Sequence, residues 1–148
     1  ELLVLGRDED SCAAVFGDHF SCDYPEALER YYLNGAPAGW QDNYVSAYAS
    51  MHPWEDFAET FAFYLDIVSV LDTAGNLSIT RSSHDGSLSG MIKAFRRVGL
   101  ALNEINREMG LLDLVPEAIT PAIEKKLQYI HTLVSSEGNV AAFSQGEY

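Results

Sequence analysis

Two glutamates, Glu55 and Glu59, stand four residues apart at the head of a long apolar segment, in the stretch YASMHPWEDFAE at positions 48–59. In a helix this spacing corresponds to about 400° of rotation and about 6 Å of rise, so both carboxylates project from nearly the same face. The spacing alone is common on solvated helix faces. Here apolar residues flank the pair, among them Phe57 and Phe61, so we expect at least one carboxylate to lie against packed structure. Such a carboxylate needs a cation, a metal ion or hydrogen-bond donors to stay charged.

The segment that carries the two glutamates is the strongest predicted helix, over about residues 53–74. His52 is expected to cap it, and Pro53 suits the first helical position. Glu55 and Asp56 fall in the first turn, where the helix dipole favours negative charge. The pair Gly75-Asn76 predicts the end of the helix. Apolar residues recur at positions 54, 57, 58, 61, 65, 68 and 71, and further ones at 62, 64, 67 and 70 widen this pattern, which predicts a broad buried stripe with Trp54 and Phe57 in the core.

The rest of the chain also shows helical patterns. Capping residues, proline positions and apolar spacing predict helices over about residues 25–33, 40–49, 91–109 and 121–136. A polar loop is expected over residues 76–90, and residues 135–148 are expected to form a frayed tail. With no repeat, no hairpin and no linker between two cores, the prediction is an all-α fold in a single domain over residues 1–148.

Charge and composition exclude several classes of function. The chain carries 22 acidic and 9 basic residues, for a net charge of −13, which disfavours binding to nucleic acid or to an anionic membrane surface. No apolar stretch approaches the roughly 20 residues needed to cross a bilayer, so we expect a soluble protein. Cys12 and Cys22 are compatible with one bridge or with two thiols, and two thiols are favoured. The compartment does not follow from the sequence, and the bacterial cytoplasm is the working expectation.

The stretch at positions 48–59 resembles the glutamate-bearing half of gluzincin-type zinc peptidases. In those enzymes one helix with the motif HExxH supplies two histidine ligands, and a later helix supplies a glutamate. The wider run at positions 27–74 is similar to the bacterial "putative zinc-binding metallopeptidase" family. This resemblance implies the C-terminal half of a zincin-like peptidase that hydrolyses peptide bonds with metal-activated water. The implied cofactor is zinc, and the implied substrate is a peptide or a protein.

The resemblance also implies roles for three side chains. Glu55 would be the zinc-binding carboxylate. Glu59 would accept a ring N–H from a ligating histidine and so fix the tautomer of that ring. Tyr48 would hydrogen-bond the developing oxyanion. A catalytic zinc site has three protein ligands and an open position, and two histidines with one glutamate form one such set.

Each of these residues also has an ordinary structural interpretation. Tyr48 could be a core tyrosine whose hydroxyl is satisfied within the protein. Glu55 could be a first-turn acid that the helix dipole stabilises. His52 is interpreted as a helix cap and not as a ligand.

The chain contains no HExxH motif. Its histidines are His19, His52, His84 and His131, and none of them forms that spacing with another. In the family the motif precedes a segment similar to positions 1–6. Either the chain is a piece of a longer protein whose upstream segment carries the motif, or the parent protein has lost its active site; the first is favoured, and it makes that upstream segment a partner. Alone, the chain is not expected to hold zinc tightly or to cleave peptides, since one glutamate cannot offset dehydration of the ion.

A second hypothesis assigns the chain a different class of function. The same helical scaffold would serve as a non-catalytic interaction module without metal. Without the upstream segment, the chain is expected to expose an apolar groove that promotes self-association. The presence or absence of HExxH upstream distinguishes the two hypotheses.

Overall fold

The computed structural model describes residues 9–79, 86–113, 115 and 118–144. The α-helices of these residues are α1 (Glu9–Phe16), α2 (Tyr24–Asn34), α3 (Pro53–Asn76), α4 (Leu88–Glu108) and α5 (Pro121–Ser144). Three short 3₁₀ helices cover His19–Ser21, Trp40–Asp42 and Tyr48–Ser50. Within the described residues there is no strand, so the predicted all-α fold is confirmed. No helix in this part of the chain is both long enough and apolar enough to cross a bilayer.

The chain divides into two compact units. The first contains the described residues up to Ala62 and those from Thr120 onward, and the second contains Phe63–Ile119. The boundary falls inside α3, whose first turns therefore belong to the first unit. A single domain over the whole chain stays a prediction.

The core of the first unit is built around Phe16 at the end of α1. Its ring packs edge-on against Phe57, with 5.3 Å between centroids, and against Tyr129 of α5 at 5.7 Å. Buried apolar side chains from the other elements complete this core: Ala27, Ala49, Met51, Ile123, Leu127 and Ile130. The short helix α1 was not predicted from the sequence, yet it supplies the central aromatic ring.

The helix predicted over residues 40–49 is wrong. The segment instead forms two separate 3₁₀ helices with irregular backbone between them. Ser46 offers a physical reason, because its hydroxyl accepts a hydrogen bond from the backbone N–H of Ala49 at 3.0 Å and donates one to Glu59 at 2.8 Å. Such local side-chain bonds compete with regular helix hydrogen bonding.

His52 caps α3 as the sequence predicts. Its Nδ1 accepts a hydrogen bond from the N–H of Trp54 at 3.1 Å. Because Nδ1 is the acceptor, Nε2 carries the ring proton and donates to the carbonyl oxygen of Cys22, 3.1 Å away. The side chain is buried, so this one ring fixes both the start of α3 and the chain segment that leads into α2.

The buried stripe of α3 differs from the predicted one. Trp54, which we expected in the core, is 47% exposed, and Leu65 is 48% exposed. Phe57 is half-buried. The buried positions of the helix are Asp56, Thr60, Tyr64, Ile67, Leu71 and Ala74, so positions 64, 67 and 71 of the predicted stripe are buried as expected. The prediction followed apolar residue types, so it missed Asp56 and Thr60, the two polar side chains with which the buried stripe begins.

In the second unit, α4 begins at Leu88, three residues before the predicted start. Ser87 caps it by accepting a hydrogen bond from the N–H of Gly90 at 3.1 Å. Residues 80–85 of the predicted loop lie outside the described residues. Asn103 holds the following segment, since its amide donates to the carbonyl of Val115 at 2.9 Å and accepts from its N–H at 3.1 Å.

Gly99 of α4 permits a close approach by the segment that Asn103 holds. A Cβ atom at position 99 would lie 2.6 Å from Cγ1 of Val115. Only glycine fits there without movement of the neighbouring side chain.

The cap predicted for α5 is present. The hydroxyl of Thr120 accepts a hydrogen bond from the N–H of Ile123 at 3.3 Å and donates to the carbonyl of Asp42 at 2.8 Å. The helix continues to Ser144, so the tail predicted from residue 135 is helical as far as that residue. Fraying of this tail stays a prediction, and residues 145–148 lie outside the described part. No disulfide joins Cys12 and Cys22, both of which are described.

Candidate metal-binding site

Glu55 lies in the first turn of α3 and is held by a residue of another helix. Tyr24, the first residue of α2, donates its hydroxyl proton to Oε1 of Glu55 over 2.6 Å. Asp23 fixes the start of α2 by accepting a hydrogen bond from the N–H of Glu26 at 3.0 Å. Tyr24 and Glu55 are both half-buried. The glutamate is therefore oriented through one oxygen, and no described residue donates a hydrogen bond to Oε2.

Tyr48 joins this pair. The hydrogen bond to Glu55, together with a weaker interaction with Tyr48, raises the pKa of the Tyr24 hydroxyl above its usual range. The ring of Tyr48 also packs edge-on against Tyr31 of α2, with 5.6 Å between centroids. The structure thus brings together two of the sequence-predicted residues, Glu55 and Tyr48, around a tyrosine that the sequence did not single out.

Glu59 lies one turn further along α3 and is also half-buried. Its Oε2 accepts a hydrogen bond from the hydroxyl of Ser46 at 2.8 Å. As with Glu55, one carboxylate oxygen is held by a neutral hydroxyl, and the described residues offer no donor to the other. Neither glutamate is paired with a lysine or arginine among the described residues, and each has one oxygen available.

Aromatic rings line the side of α3 that carries Glu55. The ring of Tyr24 lies 5.1 Å from that of His52, which in turn lies 5.5 Å from that of Trp54. The ring of His19 also lies near that of Trp54, at 5.4 Å. Because both ring nitrogens of His52 are already hydrogen-bonded, this histidine is not arranged to bind a metal ion.

The described residues fit part of a zinc site and not a whole one. No group of three or more histidine, cysteine, aspartate or glutamate side chains among them could hold a metal ion. Glu55 supplies one carboxylate of the kind found in a two-histidine, one-glutamate site, and Glu59 supplies an acceptor for a ring N–H. Two histidine ligands would have to come from outside the described residues.

Asp56, next to Glu55 in sequence, has a different environment that the sequence did not reveal. It is 1% exposed, and its Oδ2 lies 2.6 Å from Nζ of Lys126 on α5. Burial raises the pKa of Asp56 to about 6, although Lys126 and Thr60 act in the opposite direction. The partners are 70 residues apart in sequence, so no local pattern could have indicated this ion pair.

Lys126 has further partners. Its Nζ donates to the carbonyl oxygen of Asn43 at 2.6 Å and lies 4.2 Å from the centre of the Tyr44 ring. The ammonium group is thus satisfied by a carboxylate, a carbonyl and an aromatic face, which is what a buried charge requires. This cluster attaches α5 to the first turn of α3.

A cavity of about 680 Å³ lies in the first unit beside these groups. Tyr31, Tyr44, Met51, His52 and Asp56 are among its lining residues. Tyr31 and His52 therefore contribute both to this cavity and to the aromatic surroundings of Tyr24 and Tyr48.

Comparison with known proteins gives a family but no template. No solved structure gives a significant match to the chain. Uncharacterized proteins of Mycobacterium bovis and of two strains of Mycobacterium tuberculosis are 42% identical to it over 128 residues. That match covers 81% of this chain and only 37% of each relative, so the chain spans little more than a third of their length. Residues 1–133 match the family described as "Putative zinc-binding metallo-peptidase", and the chain belongs to that family.

Proposed function

We propose that this chain forms the glutamate-bearing part of a zinc-dependent peptidase. Glu55 is the zinc ligand, Glu59 orients a ligating histidine, and Tyr48 hydrogen-bonds the substrate carbonyl as it becomes an oxyanion. An upstream segment of the same protein provides the two histidines and the general base within HExxH. The substrate is a peptide or a protein.

One observation carries this proposal. On one face of α3, Glu55 and Glu59 are each held through a single oxygen by a neutral hydroxyl, from Tyr24 and Ser46 respectively. A carboxylate that serves only the fold is normally paired with a cation when it leaves water. These two half-buried glutamates have no such partner among the described residues and keep one oxygen each available, at the positions to which the family resemblance assigns the roles.

Zinc and the three side chains each have a separate role in the reaction. Zinc, when bound, lowers the pKa of a water molecule and polarises the carbonyl that the water attacks. Glu55 fixes the position of the ion relative to α3. Glu59 holds the ring of one histidine in the tautomer that leaves its other nitrogen available. Tyr48 donates a hydrogen bond to the charge that develops on the carbonyl oxygen.

The direct test is the zinc content of the longest encoded chain that contains these residues, measured by elemental analysis. The wild type should contain one zinc ion per chain, and Glu55→Gln should contain much less after dialysis. Glu29→Gln is the matched control, because Glu29 is an exposed glutamate on α2 and its zinc content should equal that of the wild type.

Two results would contradict the proposal in different ways. Equal zinc content in the wild type and in Glu55→Gln would remove Glu55 from the ligand set. A wild type without zinc and without peptidase activity would favour the non-catalytic interaction module on the same scaffold.

A further inference from the structure

Tyr24 is the residue nearest to the candidate ligand that no sequence motif indicated. Its hydroxyl oxygen lies 2.6 Å from Oε1 of Glu55, an ordinary distance for a hydrogen bond between a hydroxyl and a carboxylate. A phenol carries its proton at neutral pH, so Tyr24 is the donor. The bond joins the first residue of α2 to the first turn of α3, across 31 positions of sequence.

We infer that Tyr24 is a positioning residue for zinc, which acts by holding Oε1 of Glu55 so that Oε2 is presented to the ion. This inference rests on the proposed function of Glu55. It assigns to Tyr24 a role in metal affinity and in the geometry of the site, and it does not require contact between Tyr24 and the substrate.

The physical argument concerns the freedom of a glutamate side chain. A half-buried glutamate has three rotatable bonds, and ordering them costs conformational entropy. A donor that fixes one oxygen before the metal arrives removes much of that cost from the binding step. Hydroxyl partners of this kind are common around metal-binding carboxylates, which are themselves hydrogen-bonded in most sites.

The surroundings of Tyr24 restrict its own movement. Its ring packs against His52, which is buried and caps α3, and lies 6.2 Å from the ring of Trp54. Pro25 and the Asp23 cap fix the backbone on either side. The hydroxyl is therefore held in place by the same residues that fix the start of α3, so its position relative to Glu55 is set by the fold.

The test compares zinc dissociation constants, measured by competition with a chromophoric chelator, in the longest encoded chain that contains these residues. Tyr24→Phe removes only the hydroxyl and should weaken zinc binding about 10- to 100-fold, the range typical for partners of ligands. Tyr32→Phe is the matched control, since Tyr32 lies on the same helix and is 74% exposed. It should bind zinc like the wild type.

A second experiment distinguishes an effect of Tyr24 on the position of Glu55 from a general effect of Tyr24 on the fold. If Tyr24 acts through the carboxylate of Glu55, then Tyr24→Phe should cause a much smaller further loss of affinity in a Glu55→Gln background than in the wild type. The visible absorption spectrum of the cobalt-substituted protein should also change in Tyr24→Phe and not in Tyr32→Phe, because that spectrum reports ligand geometry.

Three results would overturn the inference. Zinc affinity of Tyr24→Phe equal to that of the wild type, or tighter, contradicts it while leaving the role of Glu55 intact. An equal loss in both backgrounds shows that Tyr24 acts through the fold and not through Glu55. A wild type that binds no zinc overturns the proposed function and this inference together.

Discussion

Two neighbouring carboxylates in the first turn of α3 have opposite environments. Glu55 is half-buried, accepts one hydrogen bond from a neutral hydroxyl, and keeps an oxygen to which no described residue donates. Asp56 is 1% exposed and paired with Lys126. Both are first-turn acids that the helix dipole favours, so sequence position alone does not distinguish them.

The difference lies in the partner that each carboxylate meets. The ammonium group of Lys126, 2.6 Å away, neutralises Asp56, and this ion pair attaches α5 to α3. A phenol orients Glu55 and supplies no opposite charge. Helix rotation of about 100° between adjacent residues is enough to turn one acid toward α5 and the other toward the start of α2.

The largest effect should come from breaking the buried ion pair. Lys126→Met leaves Asp56 buried without its cation and should lower the free energy of unfolding by about 3–5 kcal/mol. Thermal or urea denaturation followed by circular dichroism measures this. Lys125→Met, at an exposed neighbouring position, is the control and should change stability by less than about 0.5 kcal/mol. If Lys126→Met lowers the free energy of unfolding by less than about 1 kcal/mol, the ion pair of Asp56 does not stabilise the fold as described.

On the Glu55 side, Tyr48→Phe should lower the turnover number about 100- to 1000-fold while zinc stays bound, since one donor to the oxyanion is lost. Peptidase kinetics and zinc analysis on the same samples measure both quantities. Tyr32→Phe again serves as the control. Unchanged turnover in Tyr48→Phe would leave Tyr48 as a packing residue against Tyr31.

Replacement of Glu59 tests the second acid on the same face. Glu59→Gln should weaken zinc binding about 10- to 100-fold, less than Glu55→Gln does, because Glu59 acts through a histidine and not on the ion itself. Chelator competition gives the dissociation constants. If Glu59→Gln were the more damaging substitution, the two glutamates would have exchanged roles.

The smallest effect is expected at Ser46. Ser46→Ala removes the donor to Glu59 and the acceptor for the N–H of Ala49, and should lower the free energy of unfolding by about 1 kcal/mol. Zinc affinity should fall by less than in Glu59→Gln. A stability equal to that of the wild type would mean that water replaces the hydroxyl at no cost.

Local signals were sufficient to predict most helix positions. Pro53, Pro121 and the caps at His52 and Thr120 are short-range features, and the structure places helix starts at each of them. The helix expected over residues 40–49 failed because the hydroxyl of Ser46 bonds to its neighbours, an outcome that residue type alone does not decide.

The site was only partly predictable, because some of its contacts join residues that are far apart in sequence. Glu55, Glu59 and Tyr48 lie within twelve residues and were identified through a motif. Tyr24 and Lys126 reach the first turn of α3 from 31 and 70 positions away, and no local periodicity indicates either contact. The exposure of Trp54 was missed because apolar spacing does not reveal that the polar residues Asp56 and Thr60 are the buried ones at the start of α3.

The contrast between Glu55 and Asp56 is tested most directly by a crystal structure of the zinc-loaded protein. It should show a carboxylate oxygen of Glu55 about 2.0–2.2 Å from the ion. Asp56 should remain paired with Lys126 in the same structure. A zinc ion bound by other ligands, with both oxygens of Glu55 beyond that distance, would contradict the account.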